Sequence, residues 1–187
     1  MENIHRVVVV GGGAGGLELV TKLGNTLGKK KVAEIILIDA KKTHVWKPLL
    51  HEIAAGSLNP DKDELEYLAQ AHWHHFKFRY GRVHQVDSKN KTVSIEPTYD
   101  IDGTEIIPLR KIKYDTLVLS VGSTVNDFNI PGAKEFAVAL DTQDQAERFH
   151  QKLHNSILRA QTQKGSVRPG QLEVVIVGGG ATGVELA

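Results

Sequence analysis

An α/β fold built on a parallel sheet is what the sequence predicts, on three observations. Short apolar runs such as Val7–Val10, Ile35–Ile38 and Val174–Val177 are continuous rather than alternating, as strands covered on both faces are. Two of these runs lead straight into glycine clusters, Gly11, Gly12, Gly13, Gly15 and Gly16 near the start and Gly178, Gly179, Gly180 and Gly183 near the end. These nine are half of the 18 glycines in the chain, so their placement matters more than their number. Third, a segment of helical period follows the first cluster and leads into the next apolar run, giving the strand-helix-strand alternation of an α/β fold.

Composition permits such a fold and narrows the function. With 41% hydrophobic and 24% charged residues among 187, the chain can bury a core and is not a disordered sequence. Its 23 basic and 22 acidic residues give a net charge of +1, and its lysines are scattered, so nucleic acid is not the expected partner. Cysteine is absent, which excludes a disulfide framework, a thiolate metal site and a redox-active cysteine pair within these residues. The longest charge-free stretches, such as Val7–Leu17, fall far short of the ~20 apolar residues of a membrane span. The N-terminus runs into the first valines with no apolar leader, so a native start and a cytosolic protein are expected.

Each element has a local reason. Val7–Val10 is the first strand, after which Gly11, Gly13 and Gly16 satisfy G-x-G-x-x-G. Leu17, Val20, Leu23 and Leu27 then recur at helical spacing until Gly28 and Lys29–Lys31, and Ile35–Ile38 closes on Asp39. This is a complete Rossmann-like βαβ unit, in which Gly11 permits the tight turn, Gly13 the approach of a pyrophosphate, and Gly16 close helix packing. The helix N-terminus offers N–H groups to phosphates, and Asp39 is placed to accept hydrogen bonds from a ribose. An empty structural turn is the competing reading, and the correct strand and helix on either side favour a dinucleotide.

Pro48 breaks the chain after Asp39, and a short apolar helix is expected from Leu49 to Gly56, over the carboxyl ends of the strands. Asp61–Phe76 reads as an amphipathic helix with Leu65, Leu68, Ala69 and His72 on its apolar face. His72, His74 and His75 at its end lack a further ligand at matching spacing, so they read as helix-end cations and no metal is expected. Phe78–Val86 and Thr92–Ile95 suggest an antiparallel meander, to which Ile106–Tyr114 adds, and Tyr114–Ser123 carries a further apolar strand ending on Gly122. Thr142 and Gln145 form a capping-box pattern at the head of a long helix with Ala146, Phe149, Leu153 and Ile157 as its buried stripe.

Residues 1–160 are therefore expected as one nucleotide-binding domain, 161–172 as a linker, and 173–187 as the start of a second. In that last segment Val174–Val177 is a strand and Gly178, Gly180 and Gly183 repeat the fingerprint. Only about one helical turn follows, so the sequence reads as a fragment of a longer chain with two dinucleotide sites. Two such sites suggest electron transfer between two nucleotide cofactors.

Taken in order, the first fingerprint, Trp46-Lys47-Pro48-Leu49-Leu50-His51-Glu52-Ile53-Ala54-Ala55-Gly56-Ser57, Tyr114-Asp115 to Gly122-Ser123, and Val175 through Gly178, Ala181-Thr182-Gly183-Val184-Glu185 to Ala187 resemble the N-terminal part of a bacterial type II NADH dehydrogenase. The glycine motifs are shared by a wide flavoprotein superfamily, whereas the Lys-Pro-Leu-Leu-His-Glu loop and the Ala-Thr-Gly-Val-Glu ending are more selective. The resemblance implies a Rossmann-like FAD-binding domain with a parallel sheet and a small antiparallel meander, followed by the start of an NAD-binding domain. It implies oxidation of NADH through FAD and transfer of electrons to a membrane quinone, without proton pumping.

By the same resemblance, Gly11, Gly13, Ala14, Gly15 and Gly16 lie at the FAD pyrophosphate, Asp39 and Ala40 at its ribose, and Val86 at its adenine. Lys47 and Pro48 border the flavin ring, and Gly122 approaches the cofactor. NADH takes Gly178, Gly180, Ala181, Thr182 and Gly183, and Glu185 matches the family carboxylate near the nicotinamide and flavin rings. An ordinary first-turn acid stabilised by the helix dipole is the other reading of Glu185. Ser120-Val121 departs from the Ala-Thr often found before the glycine.

The resemblance also implies peripheral attachment to the cytoplasmic side of the inner membrane through a C-terminal region outside this sequence, and it allows a homodimer. The fragment itself is expected to be soluble and inactive. A soluble NAD(P)H-dependent reductase of the ferredoxin-reductase type is the alternative enzyme, and a non-catalytic dinucleotide-binding redox sensor the alternative of another class.

Overall fold

The computed structural model describes residues 4–59 and 65–187, which divide into two units: 4–44 with 65–122, and 45–59 with 123–187. In chain order the first unit carries β1 (His5–Val10), α1 (Ala14–Leu23), β2 (Ala33–Asp39), β3 (Thr43–His44), β4 (Leu65–Glu66), α3 (Tyr67–Trp73), β5 (Lys77–Tyr80), β6 (Val83–Asp87), β7 (Thr92–Ile95), β8 (Thr98–Tyr99), β9 (Glu105–Ile107), β10 (Arg110–Lys113) and β11 (Thr116–Leu119). The second carries α2 (Leu50–Ala55), α4 (Ala133–Phe136), α5 (Gln143–Thr162) and α6 (Ala181–Leu186).

The first unit is built outward from β1. Its order β11-β1-β2-β5 is parallel throughout, with Val7 to Val10 opposite Thr116 to Leu119 on one side and Ile35 to Ile38 on the other. Successive side chains of a strand alternate between faces, so the valines split two and two. Val7 and Val9, with Ile35, Leu37 and Phe78, meet Leu17 and Val20 of α1 and Tyr67 and Ala71 of α3. Val8, Val10, Ile36 and Ile38 meet Val93 and Ile95 of β7, the middle strand of the antiparallel sheet β10-β7-β6. Both faces are covered at the centre of the parallel sheet, which explains why β1 and β2 are continuous apolar runs. Helix α1 continues as a π-helical turn from Gly24 to Gly28, the glycine at which it was expected to end.

Three expectations are corrected. Phe78 belongs to β5 of the parallel sheet, not to the meander, which consists of β6, β7 and β10. The amphipathic helix expected over 61–76 has residues 61–64 outside the described residues, and its helical part is α3. It buries Tyr67 and Ala71, one turn apart on the side that faces the sheet, and leaves Leu68 exposed, while Leu65, expected on the same face, lies before the helix in β4 and is exposed too. Finally, Val174–Val177 forms no strand. A buried parallel strand needs hydrogen-bonding neighbours, and no strand among the described residues pairs with it.

In the second unit, Leu50, Ile53 and Ala54 of α2 form an apolar cluster with Ala146 and Phe149 of α5 and Leu186 of α6. Helix α5 starts with the expected reciprocal cap: the Thr142 hydroxyl accepts from Gln145 N–H, and the Gln145 side chain accepts from Thr142 N–H at 3.0 Å. Of its expected stripe, Ala146 is fully buried, Phe149 and Leu153 are half-buried and Ile157 is exposed.

Candidate functional site

The first glycine turn begins where β1 meets solvent. Gly11 has φ +99°, a conformation that favours glycine, and it donates from its N–H to the Ile38 carbonyl at 2.9 Å. Ser120 closes the turn from the neighbouring strand end: its N–H donates to the Val10 carbonyl at 2.8 Å, and its hydroxyl to the Gly11 carbonyl at 2.7 Å. The residue that departs from the superfamily pattern therefore ties β11 to the turn. A side chain at Gly16 would strike the Gly11 carbonyl and the Ser120 hydroxyl, so α1 packs directly on the turn.

Gly13 and Gly15, by contrast, face open space. Helix α1 begins there, with its first intrahelical bond from Leu17 N–H to the Gly13 carbonyl at 2.9 Å. The N–H groups that precede this bond have no acceptor within the helix, which is the arrangement that receives a phosphate. An open cradle over two glycines at a helix start fits the pyrophosphate of a dinucleotide.

Asp39, at the end of β2, is bound into the same turn. One carboxylate oxygen accepts Gly12 N–H at 2.6 Å and the other accepts Lys41 N–H at 2.7 Å, with Ala40 between. Each oxygen keeps further lone-pair capacity for a ribose hydroxyl. The Tyr67 hydroxyl donates to the Gly12 carbonyl at 2.7 Å. Burial, reinforced by the Asp39 charge, pushes the Tyr67 pKa well up, so it remains a donor at all ordinary pH values. His44 is also buried and bonds the Gly12 backbone; burial lowers its pKa, against the opposing effects of that bond and of Asp39.

Two further expected contacts belong to this unit. Gly122 follows β11 with φ +75° and open space beside it, and Val86 is half-exposed on β6, an edge strand of its sheet. Thus the first unit brings Gly11, Gly13, Ala14, Gly15, Gly16, Asp39 and Ala40 together at one turn. Sequence reasoning missed Tyr67, His44 and the part played by Ser120. The one local signal was the Tyr67–Ala71 pair, one helical turn apart on the buried face.

The second unit carries the remaining candidates. Lys47 donates to Asp141 at 2.8 Å and to the Ser123 carbonyl at 3.2 Å, and Pro48 is the middle residue of a 3₁₀ turn that leads into α2. Gly178 has φ +111°, Gly180 caps α6, and Ala181, Thr182 and Gly183 form its start, with Val184 N–H bonded to the Gly180 carbonyl at 3.0 Å. With Leu186 packed on α2, the Glu185 carboxylate comes within 3.2 Å of His51 Nδ1. Glu185 is the fifth residue of α6, not a first-turn residue, so the dipole explanation does not apply to it.

Among the described residues no cluster of His, Asp or Glu is arranged to hold a metal ion, and no helix is long and apolar enough to cross a membrane. His74 is paired with Asn25 at 3.1 Å, and His72 packs edge-on against Trp73.

Comparison with known proteins supplies relatives of this chain. The chain is 42% identical, over 98% of its length, to a type II NADH:quinone oxidoreductase from Haemophilus influenzae, of which it covers 44%. It is 30% identical, again over 98%, to a type II NADH:quinone oxidoreductase from Mycobacterium tuberculosis, of which it covers 37%. The chain thus spans less than half the length of either. Among solved structures, NDH2 from Plasmodium falciparum superposes with a TM-score of 0.78 at 21% identity, covering 98% of this chain and 36% of that one, which shows a shared fold. The pyridine nucleotide-disulphide oxidoreductase family matches residues 5–187, and with both glycine turns inside that match the chain belongs to this family.

Proposed function

We propose that the protein to which this chain belongs is an FAD-dependent NADH:quinone oxidoreductase of the non-proton-pumping, type II kind. One observation carries the reading: the two glycine turns have the same geometry, and the second delivers Glu185 to the Lys47–His51 loop within its own unit. The names of the two relatives support quinone as acceptor. The absence of cysteine from these 187 residues disfavours the disulfide enzymes that place a redox pair soon after the first βαβ unit.

When bound, FAD supplies the chemistry that accepts a hydride from NADH and releases electrons one or two at a time. The residues of this chain position and bind. Gly13, Ala14, Gly15 and the start of α1 offer N–H groups to the FAD pyrophosphate, and Gly11 and Gly16 shape the turn. Asp39, with Ala40 beside it, accepts the ribose hydroxyls; Val86 is assigned to the adenine, Gly122 to the cofactor, and Lys47 and Pro48 to the flavin ring. Gly178, Gly180, Ala181, Thr182 and Gly183 are assigned to NADH. Glu185, within 3.2 Å of His51 Nδ1, is the carboxylate assigned to a place near the nicotinamide and flavin rings.

The same proposal includes the division into an FAD-binding segment over 1–160, a linker over 161–172 and the opening of an NAD-binding domain over 173–187. It also includes peripheral docking on the cytoplasmic face of the membrane through residues outside this chain, and it allows a homodimer. The complete protein is expected to copurify with flavin and to oxidise NADH with a soluble quinone; absence of flavin, or turnover with ferredoxin alone, would reject the reading. Asp39→Ala is expected to weaken FAD retention about tenfold, since charge-assisted hydrogen bonds are lost, and unchanged flavin occupancy would reject the ribose role.

A further inference from the structure

We infer that Tyr67 is a positioning residue for the first glycine turn: its hydroxyl fixes the Gly12–Gly13 peptide so that the turn has its cofactor-accepting shape before any cofactor arrives. This rests on the reading of that turn as the FAD pyrophosphate site. The Gly11–Gly12 peptide is held at both ends, its carbonyl by the Ser120 hydroxyl at 2.7 Å and its N–H by Asp39 at 2.6 Å. The next peptide is held through its carbonyl, which accepts from the Tyr67 hydroxyl at 2.7 Å and is bonded by the buried His44 ring as well. In a planar trans peptide the N–H points opposite to the C=O. Holding the Gly12 carbonyl against Tyr67 therefore directs the Gly13 N–H away from the ring.

The ring that does this is itself immobilised. Tyr67 is 2% exposed, its centroid is 5.1 Å from that of Phe78, and its N–H donates to the Lys42 carbonyl at 3.0 Å. It also fills the space a side chain at Gly12 would need, since a Cβ there would lie 2.5 Å from Cζ and from the hydroxyl oxygen. Three consecutive glycines are otherwise the most conformationally free stretch a chain can have. A turn left to sample that freedom would bind a dinucleotide more weakly, because ordering it would accompany binding.

The test uses the complete protein, stripped of flavin and titrated with FAD, with amide hydrogen exchange measured on the apoprotein. Tyr67→Phe keeps the ring and removes only the hydroxyl. The expected result is an FAD Kd raised about three- to tenfold, the range set by one buried hydrogen bond. It is accompanied by faster exchange at Gly12 and Gly13 and unchanged exchange at Ile35–Ile38. An unchanged Kd, an unchanged exchange rate in the turn, or equal acceleration through β2 overturns the positioning role. A wild-type protein that takes up no FAD overturns the cofactor reading, and this proposal with it.

Discussion

The two glycine motifs of the chain have the same local shape and opposite surroundings. Gly11 and Gly178 have φ of +99° and +111°, and the Gly16 and Gly183 positions are each closed off by the carbonyl of the motif's first glycine. The helix starts match too, Leu17 N–H to the Gly13 carbonyl at 2.9 Å and Val184 N–H to the Gly180 carbonyl at 3.0 Å. The segments that precede them do not match: Val8 and Val9 of β1 are 0% exposed, whereas Val175 is 83% and Val177 90% exposed in a segment that forms no strand. The turn is therefore encoded within about six residues, but a parallel strand exists only with its neighbours. The first turn is also held from outside the motif, by Asp39, Ser120, Tyr67 and His44.

The largest test of this contrast is a bulky substitution at the inner glycine. Gly16→Val forces a side chain into the Gly11 carbonyl inside a packed unit and is expected to cost roughly 3 kcal/mol, read as a lower denaturation midpoint. Gly183→Val meets the same local obstacle in a motif whose preceding segment pairs with no described strand, although its helix rests on α2 through Leu186, and its expected cost to this chain is smaller, below about 1 kcal/mol. Equal costs would break the contrast. Next, Val9→Ala removes two methyl groups from a closed core, for about 2 kcal/mol, while Val177→Ala is expected to be near neutral in this chain. In the complete protein proposed above, where flanking strands would cover Val177, the two substitutions should converge. A near-neutral Val177→Ala there would count against a second sheet.

The smallest effect is on pH. The His44 pKa is lowered in the folded chain, chiefly by burial, so below the ordinary value of 6.5 the unfolded chain binds the proton more readily. Stability of the first unit is therefore full above about 6.5 and declines as the pH falls from there toward the folded value. His44→Gln should flatten that slope, and denaturation midpoints measured across the window check it; an unaltered slope would assign the decline to other groups.

What was legible in the sequence was what depends on near neighbours. The βαβ unit could be read from Val7–Val10, the glycine spacing and Asp39 because each part constrains the next within a few residues. The Thr142–Gln145 cap, three residues apart, could be read for the same reason. Tyr67 could not, since its partner Gly12 is 55 positions away, nor could the Ser120 tie to Gly11, 109 positions away. The apolar face of α3 is not legible because Leu68 is more hydrophobic than Tyr67 or Ala71, whereas the sheet beneath selects those two, and Leu65 falls outside the helix in β4. Phe78 alternates like a strand of the meander, and only its pairing with Leu37 of β2 reveals the sheet to which it belongs.

The seat of Leu186 has a mechanical consequence. Helix α2 presents one apolar surface, Leu50, Ile53 and Ala54, to α5 and α6 alike, so the three helices share a single bearing. Any displacement of α6 that lifts Leu186 off this bearing also withdraws Glu185 from His51, and a displacement of α2 carries the Lys47–Leu49 turn with it. Carboxylate, imidazole and lysine loop thus move as a linkage rather than as separate parts, and the wear point of that linkage is one leucine.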